Sequence, residues 1–303
     1  MATRSSSVPR CGPAGWTFPE WGAAVYPRPR GRGFHPLEYL AEYFDVVEIN
    51  KSFHRPLRSE LSRLWVDRVR ANASFLFTAR LGRRFTHERI LVPEEVAAFK
   101  EGLWPILKAG RLGCVLMQFP WSFRFTSENR EHFIRLRRLF HEFPLVAEMR
   151  HSSWLLEEAV GTFIDYRVGF CNIDQPEHTK AMPPASVLTS SVAYFRLHGR
   201  GDAAWMREFD GEPPEGRGSH YLYSPAELEQ WKARIDRIAP HAARTFVTFT
   251  NDAGGRALVN GLQLQALFDH AARRAPASLI ARFPAQLAGF GSDRAVQELL
   301  FVA

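Results

Sequence analysis

Short runs of β-branched, aliphatic and aromatic residues alternate with amphipathic stretches along almost the whole chain, and this alternation restricts the fold more than any other feature. The runs are 9–12 (leading into Gly15 and Trp16), 46–50, 75–79, 114–118, 145–149, 168–172, 192–197 and 245–249. Each is too short for a buried helix and is flanked by turn residues, which predicts a strand. Helical periodicity fills the intervals at 37–44, 59–70, 93–107, 129–141, 155–166, 225–238 and 257–272. The second of these places Leu61, Leu64, Trp65 and Val69 on one face, and the sixth opens with Ser224 and Glu227 at capping-box spacing. The interval 175–191 is the exception, because Pro176, Pro183 and Pro184 leave no room for a full helix. Strands joined by helical crossovers pair in parallel, and eight parallel strands close a barrel. An open doubly wound sheet would carry a glycine fingerprint after its first strand, and Cys11-Gly12-Pro13-Ala14-Gly15-Trp16 is not one. The expected fold is therefore α/β, a (β/α)8 TIM barrel distorted around its sixth crossover.

At 303 residues the chain suits one large domain, expected over 10–303 and preceded by a polar, serine-rich tail at 1–9 read as disordered. Hydrophobic residues at 46% and charged residues at 23% exclude wholesale disorder. No run of ~18 apolar residues is present, and 1–9 lacks the apolar core of a secretory signal, so a cytoplasmic protein without membrane partners is expected. Cys11, Cys114 and Cys171 are odd in number, widely spaced and without a CxxC pair, which reads as buried free thiols rather than a zinc ribbon or disulfide framework. The formal charge of +7 rests on 34 arginines against 5 lysines. Arginine's planar fork suits phosphate and carboxylate, but GC-rich codon usage produces the same excess. Charge alone therefore does not assign a nucleic-acid partner, and the sequence sets no oligomeric state.

Polar residues gather where the strands end. In a parallel barrel that is the catalytic face, and residues two apart point the same way. The pairs are Glu48 and Asn50, Thr78 and Arg80, Glu148 and Arg150, Asn172 and Asp174, and Arg196 and His198. Gln118 ends the fourth strand, His87 follows the third, and Asn251 and Asp252 follow the eighth. Any one pair is most simply a surface charge; recurrence on most strands points to a ligand site. His151 should face away from Arg150 and is equally well a helix cap, and His54 is a loop residue. Trp65, Trp104 and Trp231 sit at helical spacing and read as core, whereas Trp16 could meet a planar ligand. Arg135, Arg137 and Arg138 read as a solvated outer face.

Several segments, in order and spacing, resemble the DUF72 (YecE-like) family. They are Gly15-Trp16 through Trp21-Gly22 to Tyr26-Pro27, Val47-Glu48-Ile49-Asn50-Lys51-Ser52-Phe53-His54-Arg55-Pro56, and Phe77-Thr78-Ala79-Arg80 ahead of Thr86-His87. Further along come Leu116-Met117-Gln118-Phe119-Pro120-Trp121-Ser122-Phe123, Ala147-Glu148-Met149-Arg150-His151-Ser152-Ser153-Trp154, Tyr194-Phe195-Arg196-Leu197-His198-Gly199, and Asn251-Asp252 with Gly255, Ala257 and Asn260. The resemblance spans about 11–268, leaves the tail 269–303 outside, and implies a TIM barrel without implying a reaction. Lys51 stands where a small hydroxyl residue is common, Arg80 where lysine is common, and Thr250 where asparagine is usual.

The leading expectation is an enzyme, a hydrolase or isomerase, acting on a small anionic, phosphate-bearing molecule or nucleotide. Glu48 or Glu148 would serve as general base, His198 as the opposing acid, and Arg150 and Arg196 as anion clamps. Trp16, Asn50, His87, Gln118, Asp174, Asn251 and Asp252 complete the expected binding set. The segment 200–223, rich in glycine and proline, would serve as a lid or as an ordinary surface loop. A metal-dependent phosphodiesterase acting on nucleic acid is the alternative, with Glu48, Glu148, Asp174, His87 and His198 as ligands. Arginines beside those carboxylates disfavour a divalent metal, and no HExxH cluster is present, so no metal ligand is assigned and the cofactor is left open. A non-catalytic ligand-binding barrel is the third reading. The paired carboxylates of a glycosidase are not evident.

Overall fold

The computed structural model describes residues 8–27, 32–201, 220–269 and 273–292. The expected tail at 1–9 thus falls mostly outside the described residues, as do positions 202–219 of the expected lid, with Trp205, and positions 270–272 and 293–303 of the C-terminal segment.

Eight strands form one parallel sheet: β1 (Arg10–Pro13), β2 (Val46–Ile49), β3 (Leu76–Arg80), β4 (Leu112–Gln118), β5 (Leu145–Glu148), β6 (Gly169–Asp174), β7 (Val192–Leu197) and β8 (Arg244–Phe249). The order β1-β8-β7-β6-β5-β4-β3-β2 leaves β1 and β2 as the two ends. A parallel bridge between Ala14 and Glu48 brings those ends together. Gly12 permits the approach: a Cβ there would lie 1.9 Å from the Val46 carbonyl oxygen, which no side chain tolerates. The expected barrel is what forms, and each expected run lies within a residue or two of an observed strand.

Helices Ser59–Arg68, Pro93–Lys108, Ser127–Leu139, Glu157–Asp165, Pro225–Asp236 and Arg256–Asp269 cover the outside. Ser224 and Glu227 form the capping box reciprocally, fixing the start of the helix behind β7. The interval between β6 and β7 carries no helix. Asn172 takes over the task of holding that crossover, donating to the Val187 carbonyl at 3.0 Å and accepting from the Val187 amide at 2.8 Å. The distortion expected from the three prolines is therefore real, and an amide side chain compensates for it.

Two expectations about faces need correction. Leu64 and Trp104 were placed on apolar faces by periodicity, and each is 41% exposed. Trp65 and Trp231 are buried as expected, at 4% and 1%. The stripe on Ser59–Arg68 is simply narrower than the sequence pattern, with Ser62 buried and donating to the Gly102 carbonyl. Cys11, Cys114 and Cys171 are buried and free. His151 caps the short 3-10 turn Ser152–Leu155, the capping alternative considered for it. Beyond Asp269, a small parallel pair, Arg274–Ala275 with Gly291–Ser292, and buried Ala275, Leu279 and Leu287 join the main apolar cluster. No helix among the described residues is long and apolar enough to cross a membrane.

Candidate functional site

Alternation along the strands decides which polar residues meet. Glu48, Thr78, Gln118, Glu148, Tyr194, Arg196 and Thr248 are all buried, and a continuous set of hydrogen bonds joins them across the barrel. The Arg196 guanidinium is the centre. Its Nε and Nη2 donate to the two Glu48 oxygens at 3.2 and 2.8 Å, and its Nη1 donates to Gln118 Oε1 at 2.7 Å and Glu148 Oε2 at 2.8 Å. Two buried carboxylates are tolerable in a barrel interior only because a cation reaches both. The Tyr194 hydroxyl donates to Glu48 Oε2 at 2.9 Å and lies 3.0 Å from Thr78 Oγ1 and 3.3 Å from Thr248 Oγ1, which anchors the network from below.

Glu148 is met on its other side by Arg150 Nε at 3.1 Å and His198 Nε2 at 3.3 Å. Burial would raise its pKa, yet Arg196, His198 and Arg150 together hold it well below the usual carboxylate range. The sequence leaves this contest between burial and charge open, and the arginines win it. Burial acts oppositely on His198, pulling the imidazole down to about 4 against the attraction of Glu148. At neutral pH the pair is therefore a carboxylate and a neutral ring. His198 Nδ1 lies 2.7 Å from Thr250 Oγ1. The Thr250 hydroxyl also reaches the Leu197 carbonyl at 3.5 Å, so it meets Nδ1 as acceptor or as donor according to the ring's tautomer, while Nε2 faces the Glu148 oxygen at 3.3 Å. A carboxylate–imidazole–hydroxyl chain thus runs from β5 through the end of β7 to the end of β8.

At the rim beside β3, half-buried His87 lies 2.9 Å from Thr86 Oγ1 through Nδ1, and burial, Arg150, Arg80 and Arg83 lower its pKa to about 3. The Arg80 guanidinium lies over the Phe53 ring at 3.8 Å. Asn50 is at the seam, donating to the Ala14 carbonyl at 2.6 Å.

The remaining expected site residues go elsewhere. On β6 the pair Asn172 and Asp174 occupies the outward phase. Asp174 accepts from Arg200 Nε at 3.0 Å on each oxygen and from Trp231 Nε1 at 3.3 Å, on the helix that covers the barrel. Burial raises its pKa in spite of Arg200, Tyr223 and Trp231. Cys171, one residue out of phase, is the β6 side chain that senses Glu148, Arg196 and Glu48. Asn251 donates to the Tyr221 carbonyl and to Asn260, both at 2.9 Å. The Asp252 carbonyl accepts from Trp21 Nε1 at 2.7 Å. Trp16 is buried edge-on against Trp65. Tyr194 and Thr250 are the residues that sequence reasoning left out of the site. Counting by two from Thr248 reaches Thr250 rather than Asn251, so alternation carried that signal; Tyr194 reads in sequence as an ordinary strand aromatic. Among the described residues no three His, Cys, Asp or Glu side chains converge as they would around a metal ion.

Comparison with known proteins agrees with this architecture. UPF0759 protein YunF of Bacillus subtilis is 27% identical over 262 residues, covering 82% of this chain and 92% of that protein. The crystal structure of a DUF72 family protein from Thermotoga maritima superposes with a TM-score of 0.71 at 27% identity, over 86% of this chain and 98% of that one. A DUF72 family protein from Enterococcus faecalis shares the fold at a TM-score of 0.67 and 24% identity, over 76% of this chain and 92% of that one. The family model described as "Protein of unknown function DUF72" matches residues 10–285, so part of the C-terminal segment that sequence reading set aside lies within the match. With that match running from the first strand past the last helix of the barrel, the chain belongs to the DUF72 family.

Proposed function

We propose that the C-terminal mouth of the barrel is an active site that carries out acid–base chemistry on a small anionic, phosphate-bearing molecule or nucleotide. The observation that carries this reading is the juxtaposition of buried Glu148 and His198, 3.3 Å apart, with the half-buried Thr250 hydroxyl 2.7 Å from the other ring nitrogen. A neutral imidazole set between an ionised carboxylate and a hydroxyl is an arrangement suited to passing a proton. Arg196 is not the anion clamp in this reading, because its donors already meet Glu48, Gln118 and Glu148. It pairs with both carboxylates and holds them in place.

An arriving anion changes the balance. It adds negative charge beside Arg150, which helps to depress both Glu148 and His198. Weakening that hold raises the proton affinity of both groups. Glu148 is then the base and His198 the acid, and the pair is weak until the ligand is present. The nucleic-acid phosphodiesterase reading has less support, since among the described residues no three His, Cys, Asp or Glu side chains converge as around a metal ion.

A thermal-shift screen of a metabolite library, followed by mass spectrometry of each stabilising compound after incubation, tests the proposal. Phosphate-bearing compounds should dominate the hits, and at least one should be converted. Glu148→Gln, with its fold verified by circular dichroism, should lower conversion by about 10²-fold or more. Full activity in that variant removes Glu148 from the chemistry, and stabilising ligands without product make the barrel a binding protein.

A further inference from the structure

Every strong cation at the centre of the mouth has a carboxylate, but one at its edge does not. Arg80 ends β3, and among the described residues no Asp or Glu forms an ion pair with it and no acceptor meets its Nε, which is shut off from solvent. Arg80 as a whole is only partly buried although its Nε is sealed. Its guanidinium lies 3.8 Å above the Phe53 ring, a contact that orients the plane without neutralising the charge. The rings of His54 and His87 stand edge-on to the same Phe53, each at 5.2 Å. Arg150 and Arg83 complete the positive surroundings, since both act on His87 along with Arg80. Arg83 is itself 3.7 Å from the Glu88 carboxylate, so its charge is partly answered. Burial and Arg196 pull the Arg80 pKa down to about 9 despite Glu48 and Glu148, which is the condition of a cation lacking a close counter-charge.

A partly buried arginine with no carboxylate is costly, and folded chains rarely keep one without a use. Arginine stacked on an aromatic ring presents two parallel N–H donors in a fixed plane, the geometry that two oxygens of one anionic group match. The two flanking imidazoles, kept neutral by burial and by nearby arginines, gain proton affinity when negative charge arrives, which favours a dianion over a single carboxylate charge. We propose that Arg80, laid on Phe53 between His54 and His87, is the phosphoryl subsite of the mouth and that the substrate is a phosphomonoester. This rests on the reading of the mouth as an anion-handling active site, and it supplies the clamp that Arg196 cannot be.

The test is calorimetric titration of the full chain with inorganic phosphate, with sodium chloride and sodium acetate titrated at matched ionic strength. Wild-type protein should bind phosphate with a Kd of about 1 mM or tighter and show no comparable response to chloride or acetate. Arg80→Met should weaken binding at least tenfold, and Arg80→Lys should retain part of it. Phe53→Leu, which keeps the charge and removes the platform, should fall between them. If Arg80→Met fails to fold, Arg80→Lys and Phe53→Leu carry the same comparison. Phosphate binding that is undiminished in the folded variants, absent in wild type, or equalled by acetate overturns the assignment. None of these results bears on Glu148, whose part is judged by conversion, so the two proposals fail separately: a Glu148→Gln variant that binds phosphate as wild type does supports the subsite whatever it does to turnover.

Discussion

Arg196 and Arg80 are drawn from neighbouring regions of one barrel mouth and lead opposite lives. Arg196, at the hub, is 3% exposed and reaches two carboxylates and an amide oxygen. Arg80, at the edge, lies on an aromatic ring and, among the described residues, meets no carboxylate. A buried charge whose partners are all present is part of the scaffold, because removing it strands those partners. A charge without partners contributes nothing comparable to stability and is free to respond to what binds. The difference teaches that arginine content at a mouth is no measure of anion affinity; what matters is which arginines the protein has already neutralised.

Substitution would break the comparison most directly at the hub. Arg196→Met leaves Glu48 and Glu148 buried without their shared cation, and chemical denaturation should show a loss of about 3–5 kcal/mol or failure to fold. A loss below about 1 kcal/mol would mean that the hub is not the scaffold it resembles.

Acid should produce the next largest effect. His198 stays neutral in the folded chain down to about pH 4, whereas an unfolded histidine titrates near ~6.5. Unfolding below about pH 6.5 therefore takes up a proton, so stability is complete above that value and falls as the pH drops toward 4. His87, lowered to about 3, adds to the fall in the same direction. The His198 share is on the order of 3 kcal/mol, read as the flattening of the urea-midpoint profile in His198→Asn. A profile unchanged in that variant would place the acid sensitivity elsewhere.

The smallest effect sharpens the contrast. Arg80→Met should leave stability within about 1 kcal/mol of wild type or raise it, the usual result of removing a functional residue that the fold does not need. A cost matching that of Arg196→Met would show that Arg80 is structural after all.

The barrel was legible because strand signals are local: aliphatic runs of four to seven residues between turns survive any tertiary context. The hub was legible for a related reason, since Glu48, Glu148 and Arg196 each sit where inward phase coincides with a strand's end. Phase is also what the sequence hides. Asn172 and Asp174 satisfy the same two-residue rule as Arg196 and His198, but β6 presents them outward, to the helix-free crossover and to Trp231. Nothing local distinguishes the two cases, because the phase of a strand is set by its register against neighbours distant in sequence. Partner choice is equally nonlocal. Arg80 and Arg196 are chemically identical in sequence, and only the packed structure reveals that one is paired and the other is not.

The single bridge between Ala14 and Glu48 gives the hub a mechanical meaning. Glu48 bridges the two edges of the cylinder through its main chain, beside the Asn50 side-chain bond to Ala14, and grips the central cation through its side chain. The seam of the wall and the seat of the central cation are thus built on the same residue.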